Sequence, residues 1–218
     1  MIAIVDYGVA NVPNVERALR RAGAADVRVT RSHAELLAAR AIVLPGVGHF
    51  GHCARELRRF GLDAMIRVAH DRGIPLLGLC VGMQLFFDDS EEDPGTPGLG
   101  LVRGHVRRLQ GDVRVPHTGW NEVATSRPHP WLAGVPDGAY FYFVHSYAAH
   151  PEKSDAVVGT VDHGGTARWA SALRVEDFVR WTSRVSLRGD LGGLARAGTA
   201  IAEHERMRFH RASMEARA

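Results

Sequence analysis

A single thiol stands between two glycines in Gly78-Leu79-Cys80-Val81-Gly82, directly after the compact apolar run 75–79 and directly before the apolar-dense stretch 81–87. The pattern is that of a nucleophile elbow, in which a strand turns at once into a helix and lifts the central side chain out of the sheet. At a helix N-terminus the dipole favours thiolate over thiol, so the chemistry to expect is attack on an electrophilic carbon. The competing reading is a small buried hydrophobe after a strand, and the two flanking glycines weigh against it. A second feature, Leu44-Pro45-Gly46-Val47-Gly48-His49-Phe50-Gly51, is a glycine-rich loop at the carboxyl end of another core strand. Its backbone N–H groups are suited to hold an oxyanion. No Lys-Ser or Lys-Thr pair follows the glycines, so a phosphate loop is not expected. The other cysteine, Cys53, lacks the spacing of a zinc ribbon, and two cysteines are too few for a disulfide scaffold. His49, His52 and Cys53 have no fourth ligand beside them; neither a metal nor a cofactor is expected.

These residues need a scaffold that brings two loops to one crevice. Apolar runs at 1–6, 26–30, 41–44 and 75–79 read as strands, and helical spacing appears at 14–22, 32–39, 54–72 and 81–87. Strands alternating with helices predict an α/β fold whose central, mainly parallel sheet carries helices on both faces. In such a sheet ligands bind at the carboxyl ends of the strands, where the loop and the elbow both lie. After residue 88 the run DDSEEDPGTPGLG is an acidic, turn-rich connector. Beyond it, 102–109, 121–125, 139–149 and 156–161 alternate apolar with polar, which predicts an antiparallel extension of the sheet. Residues 190–202 are expected to be helical, closing a single domain over 1–202, with 203–218 a polar tail.

The chain has 218 residues, 45% hydrophobic and 23% charged, enough for one sizeable core. No apolar run reaches the roughly 18 residues of a membrane span, and the start has no basic region ahead of an apolar one, so a cytoplasmic protein is expected. Of 27 basic residues only Lys153 is lysine, and the net charge is +3. The whole excess falls in residues 174–218, so neither nucleic acid nor a membrane surface is an expected partner.

Six stretches carry a resemblance: Asp6-Tyr7-Gly8 with Asn11, the loop LPGVGHFG, the elbow GLCVGMQLFF, SEE followed by GLGL, VPHTGWN at 115–121 and YFYFVHSY at 140–147. In this order they resemble the class I glutamine amidotransferases, and among them the glutaminase subunits of histidine biosynthesis. The resemblance implies a flavodoxin-like class I glutamine amidotransferase fold. It makes Cys80 the nucleophile toward glutamine, and Val47 and Gly48 the oxyanion loop. Gln84, Ser146 and Tyr147 are then glutamine-binding. It also implies a separate (βα)8-barrel synthase as the partner that receives ammonia, with Asn11, His117, Trp120 and Asn121 on the face turned toward it.

One part of the resemblance fails. The family's catalytic histidine and glutamate come from a late motif of the Phe-His-Pro-Glu-Lys-Ser type. Aligning the later Gly189-Asp190-Leu191-Gly192 places Arg184 at the histidine position and Ser186 at the glutamate position. Arginine is permanently charged and cannot act as a base. Three explanations stay open: a real loss of glutaminase activity, a relocated base such as His49 or His52, or an error in the coding sequence across residues 179–188. His150-Pro151-Glu152-Lys153-Ser154 spells the missing motif. At about 3.3 Å per residue, however, its position five residues past His145 carries it away from the crevice.

Overall fold

A computed structural model describes residues 1–129, 135–164 and 168–173. Strand β1 (Ile2–Val5) consists of four buried apolar residues. It pairs in parallel with β2 (Val27–Thr30) on one side and β3 (Ala41–Gly46) on the other, and β4 (Leu76–Cys80) lies beyond β3, giving the order β2-β1-β3-β4. Parallel neighbours need crossovers. These are α1 (Val12–Arg21), α2 (His33–Leu37) and the pair α3 (Phe50–Arg59) and α4 (Leu62–Asp71). Side chains alternate across the sheet with period two. Ile2 and Ile4 therefore join Val15, Ala18 and Leu19 of α1 on one face. Ala3 and Val5 join Leu36, Leu57, Leu62 and Ile66 of α2, α3 and α4 on the other. This is the parallel sheet covered on both faces that the alternation of elements predicts.

Three elements differ from their expected form. The helix predicted over 54–72 is two helices, because Gly61 takes φ +65° at the N-cap of α4 and breaks the α-helical run. The helix after Cys80, predicted to reach residue 87, is the single turn α5 (Val81–Gln84). Its last apolar residues instead form turns whose backbone meets the incoming segment, with the N–H of Leu99 donating to Leu85 O at 2.7 Å and that of Leu101 to Phe86 O at 2.8 Å. The strand predicted over 139–149 is interrupted at Ser146, where the chain changes partners.

The later strands are β5 (Asp89–Ser90), β6 (Gly104–Arg108), β7 (His117–Thr125), β8 (Ala139–His145), β9 (Tyr147–Pro151), β10 (Val157–Asp162) and β11 (Arg168–Leu173). Among the described residues they pair in a sheet of their own, ordered β5-β6-β9-β11-β10-β7-β8, rather than adding to the edge of the parallel one. All pairings in it are antiparallel except the short β5–β6 contact. The two sheets share a core, since Leu99, Val102, Val106 and Ala149 pack in the same cluster as Leu85, Phe86 and Phe87. The helix expected at 190–202 and the tail 203–218 lie outside the described residues.

Candidate active site

Cys80 closes β4 and caps α5, and its backbone sits at φ +53°, ψ −121°. It is the one non-glycine residue with positive φ among the described residues, and its side chain is exposed. A β-carbon in that region costs of order 1–3 kcal/mol, which persists only where the surroundings impose it. Here the imposing contacts are the glycines. A Cβ on Gly78 would lie 2.4 Å from Met83 Cα, and one on Gly82 would lie 1.9 Å from the Leu44 carbonyl oxygen. The glycines of the elbow therefore serve close backbone approach, while the strained dihedral falls on Cys80 itself. Since α5 is one turn long, it offers Cys80 the N–H groups of a first turn rather than a long helix.

The glycine-rich loop meets the elbow directly. Gly46 pairs in register with Cys80, and a Cβ on Gly46 would lie 2.5 Å from the Gly82 nitrogen. Three side chains from different elements fix the loop. The fully buried Tyr7, just after β1, donates its hydroxyl to Pro45 O at 2.6 Å. The buried Cys53 thiol of α3 donates to Val47 O at 3.5 Å. Glu92 Oε2, from the acidic connector, accepts the N–H of Phe50 at 2.8 Å. Because a trans peptide sets C=O and N–H on opposite sides, holding Val47 O toward Cys53 turns the Gly48 N–H away from the buried thiol. Burial pushes the Tyr7 hydroxyl and the Cys53 thiol both upward in pKa, so each stays a neutral donor. Cys53 is thus a structural thiol under the loop.

Gln84 faces the interior from α5 and donates its Nε2 to Tyr147 O at 3.2 Å. This places the Ser146-Tyr147 backbone beside the elbow, as a pocket for one small substrate requires. Ser146 O accepts the Leu109 N–H at 2.9 Å across the strand break. The residues assigned to a partner face separate. Asn11 caps α1, and Trp120 is half-buried with its ring edge-on to Tyr142. His117 and Asn121 share the other face of β7; His117 is only 3% exposed and stacks on Phe143 and His163. From that position His117 supports the strand from behind.

His49 caps α3 with its Nδ1 3.8 Å from Asp93 Oδ2, and His52 is exposed on the same helix. His150 lies on β9 opposite His105. Among the described residues no group of three or more His, Cys, Asp or Glu side chains is arranged to hold a metal ion. Arg184 and Ser186 lie outside the described residues. Tyr7 as a brace, Glu92 and Asp93 as anchors, and His145 were not expected from the sequence. Tyr7, Glu92 and His145 lie inside the stretches that carry the resemblance, and Asp93 lies in the acidic connector.

A strained cysteine at the carboxyl edge of a parallel sheet, with a braced glycine loop in register beside it, defines a glutamine amidotransferase-type site. The family model for glutamine amidotransferase class-I matches residues 3–172, and the chain belongs to that family. Within it, the chain is 49% identical over 163 residues to the imidazole glycerol phosphate synthase subunit HisH of Thermococcus kodakarensis, a match spanning 75% of this chain and 78% of that protein. It is 46% identical over 163 residues to the subunit of the same name from Moorella thermoacetica, spanning 75% and 77%. A solved glutamine amidotransferase shares the fold with TM-score 0.61 at 16% identity, covering 89% of this chain and 99% of that one. PurLQS from Thermotoga maritima does so with TM-score 0.60 at 16% identity, covering 93% and 97%. Among the described residues no helix is long and apolar enough to cross a membrane.

Proposed function

We propose that this chain is the glutaminase subunit of an imidazole glycerol phosphate synthase-type complex in the cytoplasm, with glutamine as substrate and a (βα)8-barrel synthase as partner. The observation that carries the reading is Cys80, exposed at φ +53° and in register with Gly46 of the braced loop. The Cys80 thiolate adds to the carboxamide carbon of glutamine, and the negative charge on the carbonyl oxygen meets the N–H groups of Val47 and Gly48. One such donor is worth about 100 to 1,000-fold in rate. Collapse of the tetrahedral intermediate breaks the C–N bond, and the departing nitrogen takes a proton and leaves as ammonia. Water then hydrolyses the glutamyl thioester to glutamate and restores the thiol. The backbone at Ser146 and Tyr147, with Gln84, holds the substrate. Asn11 and Trp120 form the face toward the barrel, with His117 and Asn121 behind them on the other face of β7.

Proton transfer is the weak step in this chain. The alignment through residues 189–192 assigns Arg184 and Ser186 to the positions of the family's base and its orienting carboxylate. Loss of general acid–base catalysis lowers turnover by about 100 to 10,000-fold, so Cys80 is acylated slowly and its thioester is long-lived. Ammonia release from glutamine, measured with and without the barrel subunit, tests both parts. Wild type should turn over well below about 1 per second, Cys80→Ala should be silent, and Arg184→His with Ser186→Glu should raise the rate. Measurable and equal activity in wild type and Cys80→Ala overturns the nucleophile, and equal silence excludes a working glutaminase with a relocated base; wild-type turnover at about 1 per second or more overturns the impairment.

A further inference from the structure

Four groups behind the substrate-side backbone form a hydrogen-bond chain with only one possible direction. Tyr147 O can only accept, so His145 Nδ1, 3.0 Å away, carries a proton and donates it. In a neutral ring this leaves His145 Nε2 bare. His117 Nδ1, 3.0 Å from that nitrogen, must then be the donor. The bare His117 Nε2 in turn accepts from Asn121 Nδ2 at 3.3 Å. The Asn121 amide is itself oriented from two sides, since its Nδ2 donates to Asp162 O at 2.6 Å and its Oδ1 accepts the Glu122 N–H at 2.8 Å. The chain thus runs from β7 through β8 to the first residue of β9, where Gln84 of the elbow donates to the same Tyr147 carbonyl from the other side.

We propose that His117 and His145 are positioning residues for glutamine: as neutral Nδ1–H rings they hold the Tyr147 carbonyl, and with it the Ser146-Tyr147 backbone, at a fixed distance from the Cys80 elbow. The inference rests on the glutaminase reading of the site. Its physical basis is the break in the strand. At Ser146 the chain leaves its ladder with β7 and joins one with β6; across that break Ser146 O is held by the Leu109 N–H, and Tyr147 O by two side chains. The surroundings keep both rings uncharged. Burial, then the neighbouring His163 and His145, lower His117 to a pKa of about 4, and burial also lowers His145, outweighing the Tyr147 carbonyl, whose hydrogen bond favours the charged ring. A proton added to His145 Nε2 would set two N–H groups against each other across the His117–His145 contact, and one added to His117 Nε2 would do the same against the Asn121 amide.

The test uses the full chain and two readouts. Long-range proton–nitrogen spectra of the imidazole rings at neutral pH should show both His117 and His145 as Nδ1–H tautomers; an Nε2–H form at either ring overturns the chain. The second readout is alkylation of Cys80 by a glutamine-shaped diazoketone, 6-diazo-5-oxonorleucine, with iodoacetamide as a reagent that needs no glutamine pocket. His117→Leu should raise the half-saturating diazoketone concentration by about tenfold and leave both the saturated rate and the iodoacetamide rate unchanged. His117→Asn, which keeps an N–H donor near the Nδ1 position, should restore the wild-type value. If His117→Leu does not fold, His117→Phe, which keeps a flat ring between Phe143 and His163 and carries no N–H, takes its place against His117→Asn. Equal half-saturation in wild type and variants overturns the positioning role. Wild type that reacts with iodoacetamide but is untouched by the diazoketone overturns the glutaminase reading, and the positioning role falls with it.

Discussion

At Cys80 the proposed nucleophile and an unfavourable backbone coincide, and the two can be separated by substitution. Removing the thiol as Cys80→Ala leaves a Cβ at φ +53° and therefore leaves the strain. Removing the Cβ as well, in Cys80→Gly, releases it, and the exposed side chain contributes little packing that is lost in exchange. Cys80→Gly should accordingly be more stable than Cys80→Ala by about 1 kcal/mol, as measured by urea unfolding, although neither releases ammonia. Equal stability of the two variants would mean the elbow relaxes when the thiol goes, and that the dihedral is not imposed by the glycine contacts around it. Those contacts are with backbone atoms, the Leu44 carbonyl at Gly82 and the Met83 Cα at Gly78, which have no free rotamer to give way.

The segment joining β3 to α3, which the proposed function makes the source of the oxyanion donors, is held chiefly by neighbouring elements. Tyr7 is the deepest of these braces. Tyr7→Phe keeps the ring and leaves the buried Pro45 carbonyl without its donor, which should cost about 1–3 kcal/mol of stability. It should also slow diazoketone labelling of Cys80 at saturation, because the donors lose their fixed place. An unchanged saturated rate with lowered stability would confine Tyr7 to the core. This bracing also marks where sequence reading reaches its limit. The parallel sheet was legible because Ile2–Val5, Ala41–Gly46 and Leu76–Cys80 are short apolar runs between helical patterns, and the elbow was legible because two glycines flank one cysteine. The split at Gly61 was missed because the apolar spacing of 54–72 continues through it, while only a left-handed φ ends the helix. The break at Ser146 was missed for a similar reason: alternation persists across 139–149, and what changes is the partner strand, which local pattern does not encode. Glu92 and Asp93 read as part of an acidic, turn-rich connector. Their roles at the Phe50 N–H and at Arg55 come from tertiary approach across about forty residues of sequence.

For the whole molecule, acid is the condition that sets folding against the buried histidines. His117, His129 and His145 are all pushed below the ordinary imidazole range, in each case first by burial. A ring whose folded pKa is depressed binds fewer protons folded than unfolded. Its contribution to stability is present above the unfolded value, about 6.5, and is lost as pH falls toward the folded value, which for His117 is about 4. By linkage, His117 alone should cost about 2 kcal/mol between pH 7.5 and pH 5, and about 3 kcal/mol by pH 4. The loss should level off for this ring below that, once both states are protonated. Glu35, Asp93 and Asp137, held below their usual values by hydrogen bonds, add a further decline at lower pH. Unfolding free energies in urea at pH 7.5, 6 and 5 should therefore fall steadily, and His117→Asn should flatten that fall by about 2 kcal/mol. A wild-type profile that is level between pH 7.5 and 5 would mean that the strands around His117 open enough to hydrate the ring. In that case β7 and β8 would be too loose to hold the Tyr147 carbonyl against the elbow.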